Sequence, residues 1–338
     1  MATVGLSSGC LQPVLSVESG AMADIPSYHD LPVSRRAPRG SAWGVWGDDD
    51  QLGCLNLITP DKVVSAAKLV RKGVVFPLNL RVDQPDPPLY GRGKVRQTIT
   101  GEGGNGRDDY LDNFWPQASS QWDSLRHIRH PEDGWYNGAR DDEIVAGGGK
   151  LGIENVAQRG IATRGVLLDV ERYLREQGRA VDMATSTAVT PADLDGCCAA
   201  QGVEIQTGDV LLVHFGWLRW YLDGPTQAER EAMSDRNQLR APGLGPPEEM
   251  AAWLWGKHVA AVAADNPALE AWPPAAGPGG FMHWKLIPHL GMNIGELWWL
   301  ANLADDCDTD GVYEFFFTSA PLNVPGGVGS PPNALAIK

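Results

Sequence analysis

Between residues 164 and 322 the chain alternates short β-branched or aromatic runs with capped helical segments, and this alternation limits the fold more than any other feature. RGVLLDV (164–170), GDVLLVHFGW (208–217), VAAVAADN (259–266) and GVYEFFFTSAPL (311–322) have strand composition. The spacing predicts helices at ERYLREQGR, stopped by Gly178, and at TPADLDGCCAAQG, opened by Thr190 and Pro191. PPEEMAAWLWGKH (246–258) and GELWWLANL (295–303) are two further predicted helices. Such tight alternation excludes separate all-α and all-β domains and gives an α/β class, with α+β as the variant.

Upstream, TPDKVVSAAKLVRKG predicts a helix closed by Gly73, and GVVFPLNLRV (73–82) a strand. Residues 83–150, with GEGGNG at 101–106 and AGGGK at 146–150, read as long functional loops. Residues 1–40 lack apolar periodicity and are expected to form a partly disordered N-terminal arm, followed by one catalytic domain over 41–338.

The 338 residues carry a net charge of −14 without any Lys/Arg cluster, which excludes a nucleic-acid partner. No window reaches the roughly 20 apolar residues of a membrane span. Five scattered cysteines without a CxxC fit a reducing compartment, and the start makes a poor signal peptide, so a cytoplasmic protein is expected.

Two clusters carry candidate chemistry. In PQASSQWDSLRHIRH, Gln117 and Gln121 stand four apart, Asp123 follows by two and His127 by four more. This spacing lets several oxygen and nitrogen donors converge, as a metal site requires; the plain alternative is an exposed polar turn. In HWKLIPHLGMNIGELWWL, His283 precedes Glu296, a carboxylate beside Leu297 and Trp298. It is costly to bury there unless paired or bound to a cation, the alternative being a helix-start charge. His214, inside LLVHFGW, and Asp265 with Asn266, ending VAAVAADN, are supporting candidates.

Taken in order, these clusters resemble the metal-dependent cyclase family that includes bacterial kynurenine formamidase and isatin hydrolase. WGVWGDDDQLGCLNLITPDKV, GDVLLVHFGW and SAPLNVPGGVGSPPNALAI are similar to further family segments, so the resemblance runs from about residue 43 to the C-terminus. It implies a swivelling β/β/α-type fold with a mixed sheet and flanking helices, assembled as a homo-oligomer (dimer or tetramer). The family's first motif is His, three residues, His, one residue, Asp, then His four further on. Here Asp123 and His127 match, whereas Gln117 and Gln121 replace the leading histidines; His283 and Glu296 match the second motif. The resemblance implies a metal-dependent hydrolase opening a cyclic amide, imide or lactone, or cleaving an aryl formamide. His127 is its proton donor and acceptor.

A carboxamide is a poorer ligand for transition metals than an imidazole, so one divalent ion, manganese or zinc, on Asp123, His283 and Glu296 is expected rather than two. Gln117 or Gln121 is expected to donate to the developing oxyanion. Trp122, Trp135, Tyr136, Asn137, His214 and Asp265 are the candidates for contact with a small-molecule substrate. Exposed Trp-rich elements such as WLRWYL (217–222) are the expected source of an oligomer interface. Two rivals stay open: a metal-free cyclase, dehydratase or isomerase using His127 and Glu296, and a non-catalytic binding descendant.

Overall fold

The computed structural model describes residues 25–277 and 279–338. Most of the expected arm, residues 1–24, lies outside the described residues. A nine-stranded mixed sheet organises the molecule. Its strands in chain order are β1 (Val75–Pro77), β2 (Gln121–Asp123), β3 (Ile161–Asp169), β4 (Val210–His214), β5 (Ala261–Ala264), β6 (Asn293–Glu296), β7 (Glu314–Ser319), β8 (Gly329–Ser330) and β9 (Ala334–Ile337). The spatial order is β1-β9-β7-β3-β4-β5-β6-β2-β8.

The central four strands, β3 to β6, run parallel, with antiparallel strands added on both sides. Parallel strands need long crossovers, and the predicted helices supply them. Val170–Glu176 and Pro191–Gln201 connect β3 to β4, while Trp217–Asp223, Gln227–Ser234 and Pro247–Gly256 connect β4 to β5. Because helices and loops cover both faces, β4, β5 and β6 are buried along their whole length, which explains the apolar runs of β4 and β5. β7 instead alternates, burying Phe315, Phe317 and Ser319 on one face. The α/β class and mixed sheet agree with the sequence reading.

Three local expectations are corrected. GELWWLANL is not one helix: Asn293–Glu296 is strand, the chain turns through Leu297 at φ +57°, and the helix begins only at Ala301. Gly295 makes this pairing feasible, because a Cβ there would sit 2.5 Å from that of Ala263 on β5. The 73–82 segment forms only the three-residue edge strand β1, whose Pro77 has no N–H to give to a ladder. WLRWYL is not an exposed patch either. Trp217 and Tyr221 are fully buried and stacked 4.8 Å apart, so this segment belongs to the core.

Within the long loop region, Arg96–Thr100 and Asp108–Asp112 form a hairpin that is exposed throughout. Among the described residues no helix is long and apolar enough to cross a membrane.

Candidate active site

The site is built where β2 inserts between β6 and β8. Gln121 pairs with Glu296 and Asp123 with Ile294 on one side, and Asp123 with Gly329 on the other. Side chains alternate across a strand, so Gln121, Asp123 and Glu296 leave the same face while Trp122 leaves the opposite one. Trp122 is accordingly core, packed on Trp298 at 4.6 Å with its Nε1 donating to Ser319.

His283 enters from the turn Met282–Trp284, which runs on into the π-helical segment Lys285–His289. Its Nδ1 lies 2.6 Å from Glu270 Oε1 and its Nε2 3.1 Å from Glu296 Oε1. Glu270 also accepts the Met282 N–H, and Phe281 stacks flat on the imidazole at 4.5 Å. One ligand atom each from Asp123, His283 and Glu296 lies within 4.8 Å of the others. Thus the three residues expected to share an ion do converge, Asp123 and Glu296 from paired strands and His283 from the turn Met282–Trp284.

Gln121 is fully buried and donates from Nε2 to Glu296 Oε2 at 2.6 Å and, more weakly, to Asp123 Oδ1 at 3.5 Å. Its Oε1 and the Oδ2 of Asp123 are buried with no hydrogen-bond partner among the described residues. Gln117 occupies a short turn, Pro116–Ala118; its carboxamide packs against Gly329 and its carbonyl accepts from Arg92.

His127 is held by the turn that leaves β2. Ser124 ties to the Val328 carbonyl through both N–H and Oγ, and the His127 N–H closes on Ser124. Next to it, the buried Arg126 fork donates to carbonyls of Val145, Gly148, Lys150 and Gly326. The Gly-rich loops 146–150 and 325–329 are wrapped around that guanidinium, which explains their composition. His127 Nδ1 lies 3.7 Å from Asp123 Oδ1 without a hydrogen bond, and the ring centre is 6.4 Å from that of His283.

Electrostatics follow from three buried carboxylates around one imidazole. Burial and the neighbouring Glu296 charge raise Asp123 well above the usual carboxylate range, against the pull of His283. Burial also raises Glu270, opposed by its contact with His283. Burial works against charge on His283, but Glu270 and Glu296 outweigh it and push the imidazole up to about 10. Burial, then the charges of His283 and Arg92, press His127 down to about 3, so it is a neutral imidazole.

The remaining candidates lie elsewhere. Trp135 donates to Asp141, and Tyr136 donates to Asp50. Asn137 bridges Gly44, Gly47 and Asp48, so with Tyr136 it fastens the 44–50 loop. His214 sits between Asp169 (2.8 Å from Nδ1) and Asp265 (3.8 Å from Nε2). The parallel register sets these three in one row, a residue out of step with Glu296, and so on the other face of the sheet. Asn266 holds the carbonyls of Pro242 and Glu270.

Sequence reasoning missed Glu270, Arg92, Tyr90 and Phe281. Glu270 carried a usable signal, an acid inside the apolar stretch ALEAW, the same kind that singled out Glu296. Tyr90 and Arg92 sit in an irregular loop with no periodicity to mark them; Arg92 lies 5.0 Å over the Tyr90 ring.

A solved structure described as a novel cyclase superposes with a TM-score of 0.77 at 37% identity, covering 88% of this chain and 99% of its own. Isatin hydrolase A from Labrenzia aggregata and isatin hydrolase A from Ralstonia solanacearum share the fold at 16% and 17% identity, each with a TM-score of 0.56. Each of these comparisons covers 82% of this chain and 97% of the other. No curated protein matches the sequence. The sequence model of the Cyclase family, described as "Putative cyclase", matches residues 55–271, which include β2 to β5 with Asp123, His127 and Glu270. With that match over more than half of its length, the chain belongs to the cyclase family.

Proposed function

We propose that this chain is a metal-dependent hydrolase that opens a cyclic amide, imide or lactone, or cleaves an aryl formamide. The observation that carries the reading is Asp123, buried with an unpartnered Oδ2 and within ion-sharing reach of His283 and Glu296, in a cluster of three carboxylates and one imidazole. Burial and crowding by Glu296 hold Asp123 toward its protonated form, and a cation shared by the cluster would let the carboxylates ionise. Asp123, His283 and Glu296 would hold the ion, manganese or zinc, and Gln121 bridges the two carboxylates from its amide nitrogen. When bound, a divalent ion supplies a Lewis acid and lowers the pKa of a coordinated water from 15.7 to about 7.

His127, neutral and with Nδ1 free, accepts a proton at the mouth of the site and returns it to the leaving nitrogen or oxygen. The amide N–H groups of Gln121 are spent on Glu296 and Asp123, which leaves Gln117 as the carboxamide able to meet an oxyanion. Glu270 holds the His283 ring, and Phe281 stacks on it. The fold similarity to isatin hydrolases supports a fused-ring or aromatic substrate class. Residues 41–338 are read as one catalytic unit, working in the cytoplasm as a homo-oligomer.

The test is elemental analysis of the purified chain with a screen of lactones, imides and aryl formamides, before and after chelation. One ion per chain that is lost on Glu296→Gln, and activity restored by manganese or zinc, are expected. Full activity in chelated, metal-free protein would refute the metal reading. A specific contact favours the second reading: Gln121 Nε2 and His283 Nε2 already satisfy both oxygens of Glu296 without an ion. A metal-free dehydratase or isomerase would then use His127 with Glu296, and the same chelation experiment separates the two.

A further inference from the structure

We propose a second metal site, for one zinc-class cation, formed by His130, Asp133 and His289. It shares no residue with the Asp123 centre and lies beside Trp284, whose ring meets His130 edge-on at 5.7 Å. Asp133 Oδ2 is 3.1 Å from His130 Nδ1 and 2.8 Å from His289 Nε2. One ligand atom from each of the three lies within 4.8 Å of the others. Tetrahedral zinc with bonds of about 2.0–2.1 Å sets its donors about 3.3 Å apart, so these atoms stand close to a ligand set already.

The turn itself points to a cation. His130 and Gly134 pair through both backbone N–H groups, closing a tight loop that aims the N–H groups of Glu132 and Asp133 at His130 Nδ1. Nδ1 is therefore a lone pair rather than a proton, and it faces the carboxylate oxygen of Asp133. The two N–H contacts to Nδ1 are long, 3.3 and 3.1 Å, and a cation seated between Nδ1 and Asp133 Oδ2 would take their place on that lone pair. The rings of His130 and His289 stack at 4.6 Å, fixing both imidazoles. Lys285 is engaged 2.8 Å away by Glu248, and Arg129 donates to the carbonyls of His130 and Pro131, so neither fills the gap. Two imidazoles and one carboxylate select a borderline transition metal over magnesium or calcium, and exposed Asp133 leaves the fourth position to water.

The two histidines come from different parts of the fold. His289 is buried in the π-helical segment, its carbonyl accepting the Ala42 N–H, whereas His130 follows His127 by three residues. A metal here would clamp the His127 loop to the 285–289 segment. Its role is structural bracing of the acid–base loop.

The experiment uses the full chain carrying Glu296→Gln, which disables the first centre, after metal stripping. Titration with Co²⁺ should give one equivalent with visible ligand-field absorption, displaced by Zn²⁺, and Zn²⁺ should raise the melting temperature. Adding Asp133→Asn, on the exposed turn where folding is not at stake, should weaken binding at least ten-fold and abolish the thermal shift. His130→Ala should do the same. No Co²⁺ bound by the Glu296→Gln chain, or binding unchanged by Asp133→Asn, overturns the site. Either result leaves the chelation outcome for the wild-type enzyme, and so the proposed hydrolase, standing separately.

Discussion

Replacing Glu270 by glutamine changes one atom and tests how the Asp123 centre is held. The carboxylate lies 2.6 Å from His283 Nδ1 and also accepts the Met282 N–H. At an effective dielectric of about 20, opposite charges at that separation attract by about 6 kcal/mol gross, most of it cancelled by desolvation. The net effect is better gauged from orienting groups behind metal ligands, whose loss costs about 10–100-fold in affinity or activity, or roughly 1.4–2.8 kcal/mol. Glutamine keeps the oxygen for Met282 but turns an N–H₂ toward Nδ1. The imidazole must then carry its proton on Nε2, the atom facing Glu296 and Asp123, where a ligand lone pair is needed. Glu270→Gln should therefore weaken divalent-metal binding 10–100-fold in chelator competition, and lower kcat/KM in parallel, with little change in melting temperature. Wild-type affinity in a folded Glu270→Gln chain would refute the argument that Glu270 sets the ring's tautomer.

Other outcomes follow from the same geometry. His127→Ala should lower kcat by about 10²–10⁴-fold while KM changes little, read by steady-state kinetics, because its free Nδ1 moves a proton rather than binding substrate. His214→Gln should destabilise the fold by about 3–5 kcal/mol, since Asp169 and Asp265 are left facing each other in the core. Burial opposes charge on His214, but Asp265 and Asp169 raise it above its unfolded value. Its contribution is thus complete below about pH 6.5 and lost as pH rises through the higher folded value. Denaturant titrations of wild type and His214→Gln should converge at alkaline pH, and a pH-independent gap would contradict this. Trp217→Ala should cost about 3–5 kcal/mol by the same titration without altering the oligomeric state, as expected for a core ring and not for an interface.

How far the sequence discloses this molecule depends on the kind of information each part needs. The parallel strands were readable because burial on both faces enforces long apolar runs, and the Thr190 cap because its hydroxyl accepts the Asp193 N–H in a reciprocal box. β6 was not, since four residues followed by Leu297, Trp298 and Trp299 fit a helical period as well as an extended one. Only pairing with β5 and β2 makes Asn293–Glu296 a strand. Trp122 illustrates a related limit: adjacency to Asp123 suggests a pocket residue, yet alternation sends the two to opposite faces. Tyr136 and Asn137 look like substrate contacts by composition, but their partners lie some 90 residues upstream and are invisible to local spacing.

The replacement of an imidazole by Gln121 links these observations. A glutamine at this position still faces the two carboxylates, but from its nitrogen, and so acts as a neutral donor rather than a ligand. It fixes Glu296 firmly and Asp123 loosely, and Asp123 Oδ2 is left with nothing to hold. The departure from the family pattern therefore removes ligands while preserving the geometry that makes a single-ion site feasible. The unequal hold of Gln121 on its two neighbours makes Asp123, rather than Glu296, the group that must gain a partner when an ion or substrate arrives.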